Sequence, residues 1–235
     1  MKIKEAIILA GGMGTRLRSI ISEIPKPLAP INGIPFLTYL LKYLSNQAVE
    51  RVILSVGYKW EMIHEIYKDR FEGMEILYAI EQEPLGTGGA ITLALTKTKE
   101  DNVIILNGDS FIKLDIDSFS NFHHTTSSKL SFALKEMENF DRYGIVEIEG
   151  DIITAFREKS FREKGLINAG VYIVKRDIFE GKNLPEKFSF EQDFLEKEVY
   201  KRSFYGYKSQ GYFIDIGIPE DYKRAEKELI NEINN

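Results

Sequence analysis

The chain has 235 residues, of which 43% are hydrophobic and 29% charged, and its formal net charge is −5. This composition is typical of a folded globular protein and excludes a disordered or collagen-like chain. Acidic and basic residues are mixed along the chain and cysteine is absent, so we expect no nucleic-acid partner, no disulfide and no thiolate metal site.

The first predicted element is a buried strand at 6–10, an apolar run that leads into a glycine-rich segment. The run is too short for a signal-peptide core. No other segment approaches the roughly 20 apolar residues of a membrane helix. We therefore expect a cytoplasmic protein without a membrane partner.

The elements that follow alternate in type. Apolar residues at helical spacing predict helices at 36–44, 60–71 and 88–96, and β-rich runs predict strands at 51–56, 75–80 and 102–106. This alternation predicts a parallel sheet flanked by helices.

The second part of the chain is richer in strands. They are predicted at 129–135, 144–149, 152–158 and 168–174, without obvious helices between them, and helices follow at 190–200 and 221–232. We predict the α/β class: a single domain over 1–235, with a Rossmann-like mixed sheet flanked by helices. Its ligand is expected at the ends of the early strands.

The segment LAGGMGTRL, at 9–17, predicts a phosphate-binding loop. Its glycines follow a strand, where backbone N–H groups can approach phosphate oxygens closely. The dinucleotide pattern fails because Leu17 stands where the third glycine belongs, and no P-loop lysine follows. A nicotinamide-dependent oxidoreductase is therefore disfavoured.

A lysine between two prolines, Pro25-Lys26-Pro27, follows this loop. The prolines restrict the backbone around Lys26. Together with Arg16, this cation is suited to neutralising a triphosphate and the charge that builds on an attacked phosphorus. A turn that carries a solvated lysine is the alternative.

Together, GGMGTRL and PKPLAPI resemble the signature of nucleotidylyltransferases that act on sugar 1-phosphates. Further matches run along nearly the whole chain: EPLGTGGA at 83–90, NGDSF at 107–111, FREK at 156–159, NAGVY at 168–172 and FIDIGIPEDY at 213–222. Within this family the sequence is most similar to the D-glycero-D-manno-heptose 1-phosphate guanylyltransferases, with mannose-1-phosphate guanylyltransferases as near neighbours. One departure is Ile218, where many relatives have threonine.

The resemblance implies transfer of a nucleoside monophosphate, with GTP the favoured donor, to a sugar 1-phosphate and release of pyrophosphate. Such a reaction serves nucleotide-sugar, capsule or polysaccharide biosynthesis, and a homo-oligomer is compatible with it. A uridylyl- or thymidylyltransferase is an alternative. A catalytically silent, nucleotide-sugar-sensing subunit is another, disfavoured because the charged residues of the motifs are all present.

The chemistry needs a cation bridge, because an anionic phosphate attacks an anionic α-phosphate group. Mg²⁺ favours one or two carboxylates plus phosphate oxygens. Asp109 and Asp215 each follow an apolar strand, and the resemblance implies that they are the metal pair. Taken singly, each aspartate is also suited to capping a neighbouring element.

The resemblance assigns the remaining site residues to two halves of the chain, a nucleotide-binding half at about 1–115 and a sugar-phosphate-binding half at about 116–235. The catalytic residues are Arg16, Lys26 and Asp109. The nucleotide-binding residues are Leu9, Ala10, Gly11, Gly12, Gly14, Thr15, Glu81, Gly86, Thr87 and Asn107. The sugar-phosphate-binding residues are Gly144, Glu158, Lys159, Asn168 and Gly170, with Lys159 on the sugar phosphate and Glu158 on sugar hydroxyls. Without the resemblance, Glu158 and Lys159 are an ordinary solvated pair.

In relatives the base is read at the position of Glu81. A carboxylate only accepts hydrogen bonds, and guanine offers two adjacent donors, whereas uracil and thymine flank one donor with carbonyl oxygens. The residue therefore favours guanine. Two alternatives are that Glu81 points to solvent while backbone reads the base, and that Glu83 is the reader. The histidines, His64, His123 and His124, lack metal-site spacing, and we expect them at the surface or at helix ends.

Overall fold

The fold is an α/β architecture, described by a computed structural model for residues 2–12 and 24–234. The strands are β1 (Glu5–Leu9), β2 (Pro30–Ile31), β3 (Ile34–Pro35), β4 (Arg51–Val56), β5 (Arg70–Phe71), β6 (Met74–Ile80), β7 (Asn102–Asn107), β8 (Ser110–Ile112), β9 (Leu130–Phe140), β10 (Ile145–Glu149), β11 (Ile152–Arg157), β12 (Arg162–Lys175), β13 (Phe204–Ser209) and β14 (Phe213–Asp215). The α-helices are α1 (Phe36–Asn46), α2 (Trp60–Tyr67), α3 (Gly86–Leu95), α4 (Ile116–Thr126), α5 (Glu196–Glu198) and α6 (Pro219–Asn234). None of the helices in these ranges is long and apolar enough to cross a membrane.

Ten strands form one mixed sheet in the order β10-β11-β13-β9-β12-β7-β1-β4-β6-β5. The central strands β7, β1, β4 and β6 are parallel, and β12 joins them antiparallel to β7. The predicted α/β class and mixed sheet are confirmed. Because the early strands are parallel, their carboxyl ends lie along one edge of the sheet, where ligands bind in open α/β folds.

Apolar residues cover both faces of the central strands. In β1, Ile8 belongs to one core cluster with residues of α1 and α6, whereas Ile7 belongs to a second cluster with residues of α3 and the phenylalanines Phe190 and Phe194. A strand buried on both faces has no polar alternation, which is why β1 appears in the sequence as a continuous apolar run.

Several predicted boundaries differ from the structure. The helix expected at 60–71 ends at Tyr67, because Lys68 adopts a φ of +51°. The chain then turns through Glu72 and Gly73, both at positive φ, and pairs β5 with β6 as a hairpin. The strands expected at 129–135 and 168–174 are longer, since β9 and β12 pair as far as Phe140 and Arg162. The helix expected at 190–200 is irregular, with π geometry at Phe190–Leu195 and 3-10 geometry at Val199–Lys201.

Helix α4 is absent from the prediction. Asp115 caps it by accepting a hydrogen bond from the Ser118 backbone N–H at 2.6 Å. Its last turn carries His123, which is buried between Ser131 and Asn102 rather than exposed at the surface. Of the two locations expected for the histidines, the surface or a helix end, His123 occupies the second.

Candidate active site

The site begins where the parallel strands end. The backbone N–H of Gly108 donates to the carbonyl of Leu9 at 2.9 Å, and the N–H of Ala10 donates to the carbonyl of Ser55 at 2.7 Å. A Cβ atom on Gly108 would lie only 2.5 Å from the Leu9 oxygen, so glycine is required for this approach. The strand ends are thereby drawn together immediately before Asp109.

Glu81 turns toward the glycine-rich loop. Its Oε2 accepts a hydrogen bond from the Leu85 N–H at 2.9 Å, and a Cβ on Gly11 would lie 2.7 Å from its Oε1. Glu81 is half-buried, whereas Glu83 is exposed. Burial raises the pKa of Glu81, and the Leu85 hydrogen bond opposes that increase. The carboxylate therefore lies against Gly11, the first glycine of the predicted phosphate-binding segment.

The segment from Gly86 to Gly89 packs on residues from the second half of the chain. Gly86 has a φ of +72°, and a Cβ there would lie 2.5 Å from the Phe188 carbonyl oxygen. That oxygen accepts a hydrogen bond from the Gly88 N–H at 3.0 Å, while the hydroxyl of Thr87 accepts one from the Phe190 N–H at 2.8 Å. The start of α3 is thus bonded directly to the start of the irregular helix.

Lys26, Asp109 and Asp215 meet at one point. Lys26 Nζ lies 2.6 Å from Asp109 Oδ2 and is largely shielded from solvent. A Cβ added to Gly217 would lie 2.8 Å from Asp215 Oδ1 and 3.4 Å from Lys26 Nζ, so the ammonium and the second carboxylate share that corner. The arrangement brings one cation between two carboxylates.

A small two-stranded sheet unites the aspartates. Strand β14 pairs with β8 so that Asp215 faces Ser110, and the Ile216 N–H donates to the Asp109 carbonyl at 2.9 Å. Burial raises the pKa of Asp215; the charge of Asp109 adds to the increase, and Lys26 opposes it. One oxygen of Asp215 also accepts the Gly217 N–H at 2.7 Å, so the capping interpretation holds for that oxygen alone.

A cleft of about 1020 Å³ opens beside this carboxylate pair. Predicted site residues from both halves of the chain line it, namely Asn107, Asp109, Gly144, Glu158, Lys159, Asn168, Gly170 and Asp215. Glu158 and Lys159 are exposed at the end of β11. The structure therefore unites residues that are more than 100 positions apart in the sequence.

Two glycines shape the cleft wall. Gly170 has a φ of +75°, and a Cβ there would lie 2.6 Å from Asn107 Nδ2. A Cβ on Gly144 would lie 2.9 Å from the Arg157 carbonyl oxygen. The amide of Asn168 already bonds its own strand, accepting from the Gly170 N–H and donating to the Tyr172 hydroxyl.

Other lining residues were not anticipated from the sequence. They include Ser189, Glu191 and Gln192 of the irregular helix, for which the sequence carries no signal, and Arg142, Tyr143 and Asp221. Asp221 lies inside the segment FIDIGIPEDY, and Arg142 and Tyr143 directly precede the predicted sugar contact Gly144, so the sequence did carry a signal for these three. The predicted residues Gly14, Thr15 and Arg16 lie outside the described residues.

The donor set fits a hard divalent cation. In residues 2–12 and 24–234, no three acidic, histidine or cysteine side chains converge on one point. Two neighbouring carboxylates do converge, and their mutual repulsion contributes to the raised pKa of Asp215. A cation that takes one or two carboxylates and completes its shell with phosphate oxygens matches this arrangement.

Comparison with known proteins identifies the class. The profile of the Nucleotidyl transferase family matches residues 5–232, and the chain belongs to this family. The D-glycero-alpha-D-manno-heptose 1-phosphate guanylyltransferase of Aneurinibacillus thermoaerophilus is 54% identical, over 96% of this chain and 98% of its own length. The Campylobacter jejuni protein of the same name is 49% identical, over 93% of this chain and 96% of its own. The resemblance to sugar-1-phosphate nucleotidylyltransferases is confirmed.

The fold also has a close match among solved structures. HddC from Yersinia pseudotuberculosis, in a complex with GMP-PN, is 39% identical with a TM-score of 0.85. The match covers 96% of this chain and 99% of that one. The architecture therefore corresponds to that of a nucleotide-binding protein over nearly its whole length.

Proposed function

We propose that this enzyme transfers GMP from GTP to D-glycero-D-manno-heptose 1-phosphate, forming GDP-heptose and pyrophosphate. The observation that carries the proposal is the Lys26–Asp109–Asp215 group, whose two carboxylates line the cleft that also holds Lys159. The two relatives named D-glycero-alpha-D-manno-heptose 1-phosphate guanylyltransferase, at 54% and 49% identity, support the same substrates.

The two halves of the chain divide the substrates. Residues before about 115 bind the nucleotide. Leu9, Ala10, Gly11 and Gly12 approach the phosphates, and the remaining nucleotide contacts come from Gly86, Thr87 and Asn107. Residues after about 116 bind the sugar phosphate: Gly144, Asn168 and Gly170 border the ring, Glu158 accepts sugar hydroxyls, and Lys159 binds the phosphate. The cleft supports this division, because it is lined by all five residues assigned to the sugar phosphate and, of those named on the nucleotide side, by Asn107.

The reaction needs no covalent intermediate on the protein. A phosphate oxygen of the sugar substrate attacks the α-phosphorus in line, and the bond to pyrophosphate breaks. Lys26, held beside Asp109, offsets negative charge on the triphosphate, and Lys159 orients the attacking phosphate. Asp109 and Asp215 would hold Mg²⁺, which supplies charge neutralisation between the phosphate groups when bound.

Glu81 is the proposed base reader. One of its oxygens lies beside Gly11, and the other accepts the Leu85 N–H while keeping a second lone pair. An acceptor-only group complements the N1–H and N2–H₂ donors of guanine. It repels the carbonyl oxygens that flank the single donor of uracil and thymine, which favours GTP over UTP and dTTP.

A pyrophosphate-release assay tests the proposal. The wild-type enzyme is supplied with GTP, UTP, dTTP or CTP, each with heptose 1-phosphate, mannose 1-phosphate or glucose 1-phosphate. The highest kcat/KM is expected for GTP with the heptose. A higher kcat/KM with mannose 1-phosphate would replace the heptose by mannose as the proposed sugar. A higher kcat/KM with UTP or dTTP would overturn the assignment of guanine as the base.

A further inference from the structure

An ion pair at one end of the cleft joins two parts of the site. Arg142 Nη2 lies 2.7 Å from Asp221 Oδ2, and only 6% of the Asp221 side chain is exposed, against 41% for Arg142. Both residues line the cleft. A buried carboxylate that fixes a half-exposed guanidinium restricts where that guanidinium can lie.

Asp221 is anchored on the metal side of the site. It stands in the first turn of α6, a few residues after Asp215. Its other oxygen, Oδ1, lies 3.2 Å from Arg224 Nη1 on the same helix. The two oxygens of this carboxylate therefore contact different arginines, Arg224 on the same helix and Arg142 outside it.

Arg142 begins a short segment that leads to the sugar side. The ring of the next residue, Tyr143, packs edge-on against Phe213 of β14 with centroids 5.9 Å apart. Gly144 then lies so close to the Arg157 carbonyl that a Cβ would sit 2.9 Å from its oxygen. Glu158 and Lys159 follow Arg157 directly in the chain.

These contacts form a continuous connection from Asp221 through residues 142–144 to the end of β11. Two direct contacts carry the connection, the Arg142–Asp221 ion pair and the close approach of Gly144 to the Arg157 carbonyl, and the Tyr143–Phe213 ring contact holds the segment between them. The connection starts next to the carboxylate pair and ends at the residues assigned to the sugar phosphate.

We propose that Arg142 and Asp221 are positioning residues, which hold the Glu158–Lys159 end of β11 at the correct distance from Asp109 and Asp215. The proposal rests on the function given above, in which Lys159 binds the sugar phosphate. In-line transfer is sensitive to such placement, and a displacement of about 1 Å reduces rates by about 100-fold. Glu81, the proposed base reader, is not part of this connection.

The expected result is a loss of activity toward the sugar phosphate without a loss of GTP binding. Arg142→Ala should lower kcat/KM for the sugar phosphate by about 10- to 100-fold, while the Kd for GTP, measured by isothermal titration calorimetry, changes less than about twofold. Asp221→Asn, which keeps the shape but removes the charge, should have the same selective effect. Arg142→Lys should recover part of the loss, because the charge remains but the planar fork is absent.

Arg224→Ala is the matched control. Arg224 contacts the same carboxylate and also donates to the Phe213 carbonyl at 3.3 Å, but it does not line the cleft. Arg224→Ala should lower the Tm but should not lower kcat/KM for the sugar phosphate. A double-mutant cycle completes the test: Asp221→Asn should add little once Arg142→Ala is present, because the two residues act as a unit.

Three results would overturn the positioning role. Equal losses of Tm in Arg142→Ala and Arg224→Ala with an unchanged kcat/KM for the sugar phosphate would make the pair merely structural. A defect in Arg142→Ala that Asp221→Asn does not share would mean that Arg142 contacts the sugar phosphate directly. A parallel loss of GTP affinity would place the effect on the nucleotide side.

Failure of the proposed function has a different signature. A wild-type enzyme that forms no GDP-sugar from any sugar phosphate refutes that function. The positioning role is then decided by calorimetric binding of mannose 1-phosphate to the wild type and to Arg142→Ala. Equal affinities overturn it, and a loss confined to Arg142→Ala and Asp221→Asn supports it.

Discussion

Acidification should destabilise the protein through His123, which is buried in the last turn of α4. Its Nε2 lies 3.2 Å from Asn102 Oδ1 and its Nδ1 lies 2.8 Å from Ser131 Oγ. Since Oδ1 only accepts, the network assigns the proton of the neutral ring to Nε2. Burial, with smaller contributions from the charges of His124 and Lys175, lowers the pKa of His123 from 6.5 to about 4.

The sign and size of the effect follow from proton linkage. Between pH 6.5 and 4 the unfolded chain binds a proton at this histidine that the folded chain does not, so stability falls as the pH falls. A shift of this size corresponds to a loss of about 2 kcal/mol at pH 5 and about 3 kcal/mol at pH 4, relative to pH 7. Such a loss is a large fraction of a typical folding free energy of about 5–15 kcal/mol.

The measurement is urea unfolding, followed by circular dichroism at several pH values from 7.5 to 4.5. His123→Gln should be less stable than the wild type at pH 7, because hydrogen bonds are lost, but its stability should fall less on acidification. Carboxylates titrate equally in both proteins and cancel in the difference. His124→Gln, in which a less buried ring is removed, should flatten the slope less. Parallel pH profiles for the wild type and His123→Gln would refute the reasoning.

Three further predictions concern the site. Asp109→Asn should abolish most turnover and keep the wild-type circular dichroism spectrum, since it removes one of two proposed metal carboxylates; full activity of the wild type in excess EDTA would contradict this assignment. Lys159→Ala should mainly raise the KM for the sugar phosphate, and a variant that weakens only GTP would exchange its role with that of Lys26. Glu81→Gln should reduce the GTP preference over UTP by about tenfold to a few hundredfold, because charged hydrogen bonds contribute roughly 1.5–3 kcal/mol each. An undiminished GTP preference in that variant would assign base reading to Glu83 or to backbone.

The early half of the fold was largely predictable because its signals are local. Strands such as β1 and β4 are buried on both faces and appear as apolar runs, and Gly11 after β1 leaves room for the Glu81 carboxylate. Helix α4 was missed because its exposed face is rich in serine, asparagine, histidine and threonine, and it has only three apolar residues, Ile116, Phe119 and Phe122. The long arms of β9 and β12 were missed because exposed charged residues on them weaken the apolar pattern.

The sequence predicts which residues form the candidate site, but not which of their side chains contact one another. Sequence motifs led to Lys26, Asp109 and Asp215, yet nothing in their spacing indicates that a separate β8–β14 pair brings the aspartates together. The Arg142–Asp221 ion pair joins positions 79 residues apart, and one sequence without an alignment carries no signal of such a pairing. Long-range side-chain partners of this kind depend on topology, which local patterns do not specify.

The pairing of β8 with β14 also affects how the protein is made. The second strand lies about 100 residues after the first. At synthesis rates of about 5–20 residues per second, a ribosome needs about 5–20 s to produce the intervening chain. The parallel strands β1, β4, β6 and β7 can assemble during that interval, whereas Asp215, the partner carboxylate of Asp109, has not yet been synthesised. A nascent chain therefore acquires its sheet well before it can hold both substrates for reaction, and chemical competence is among the last properties to appear during translation.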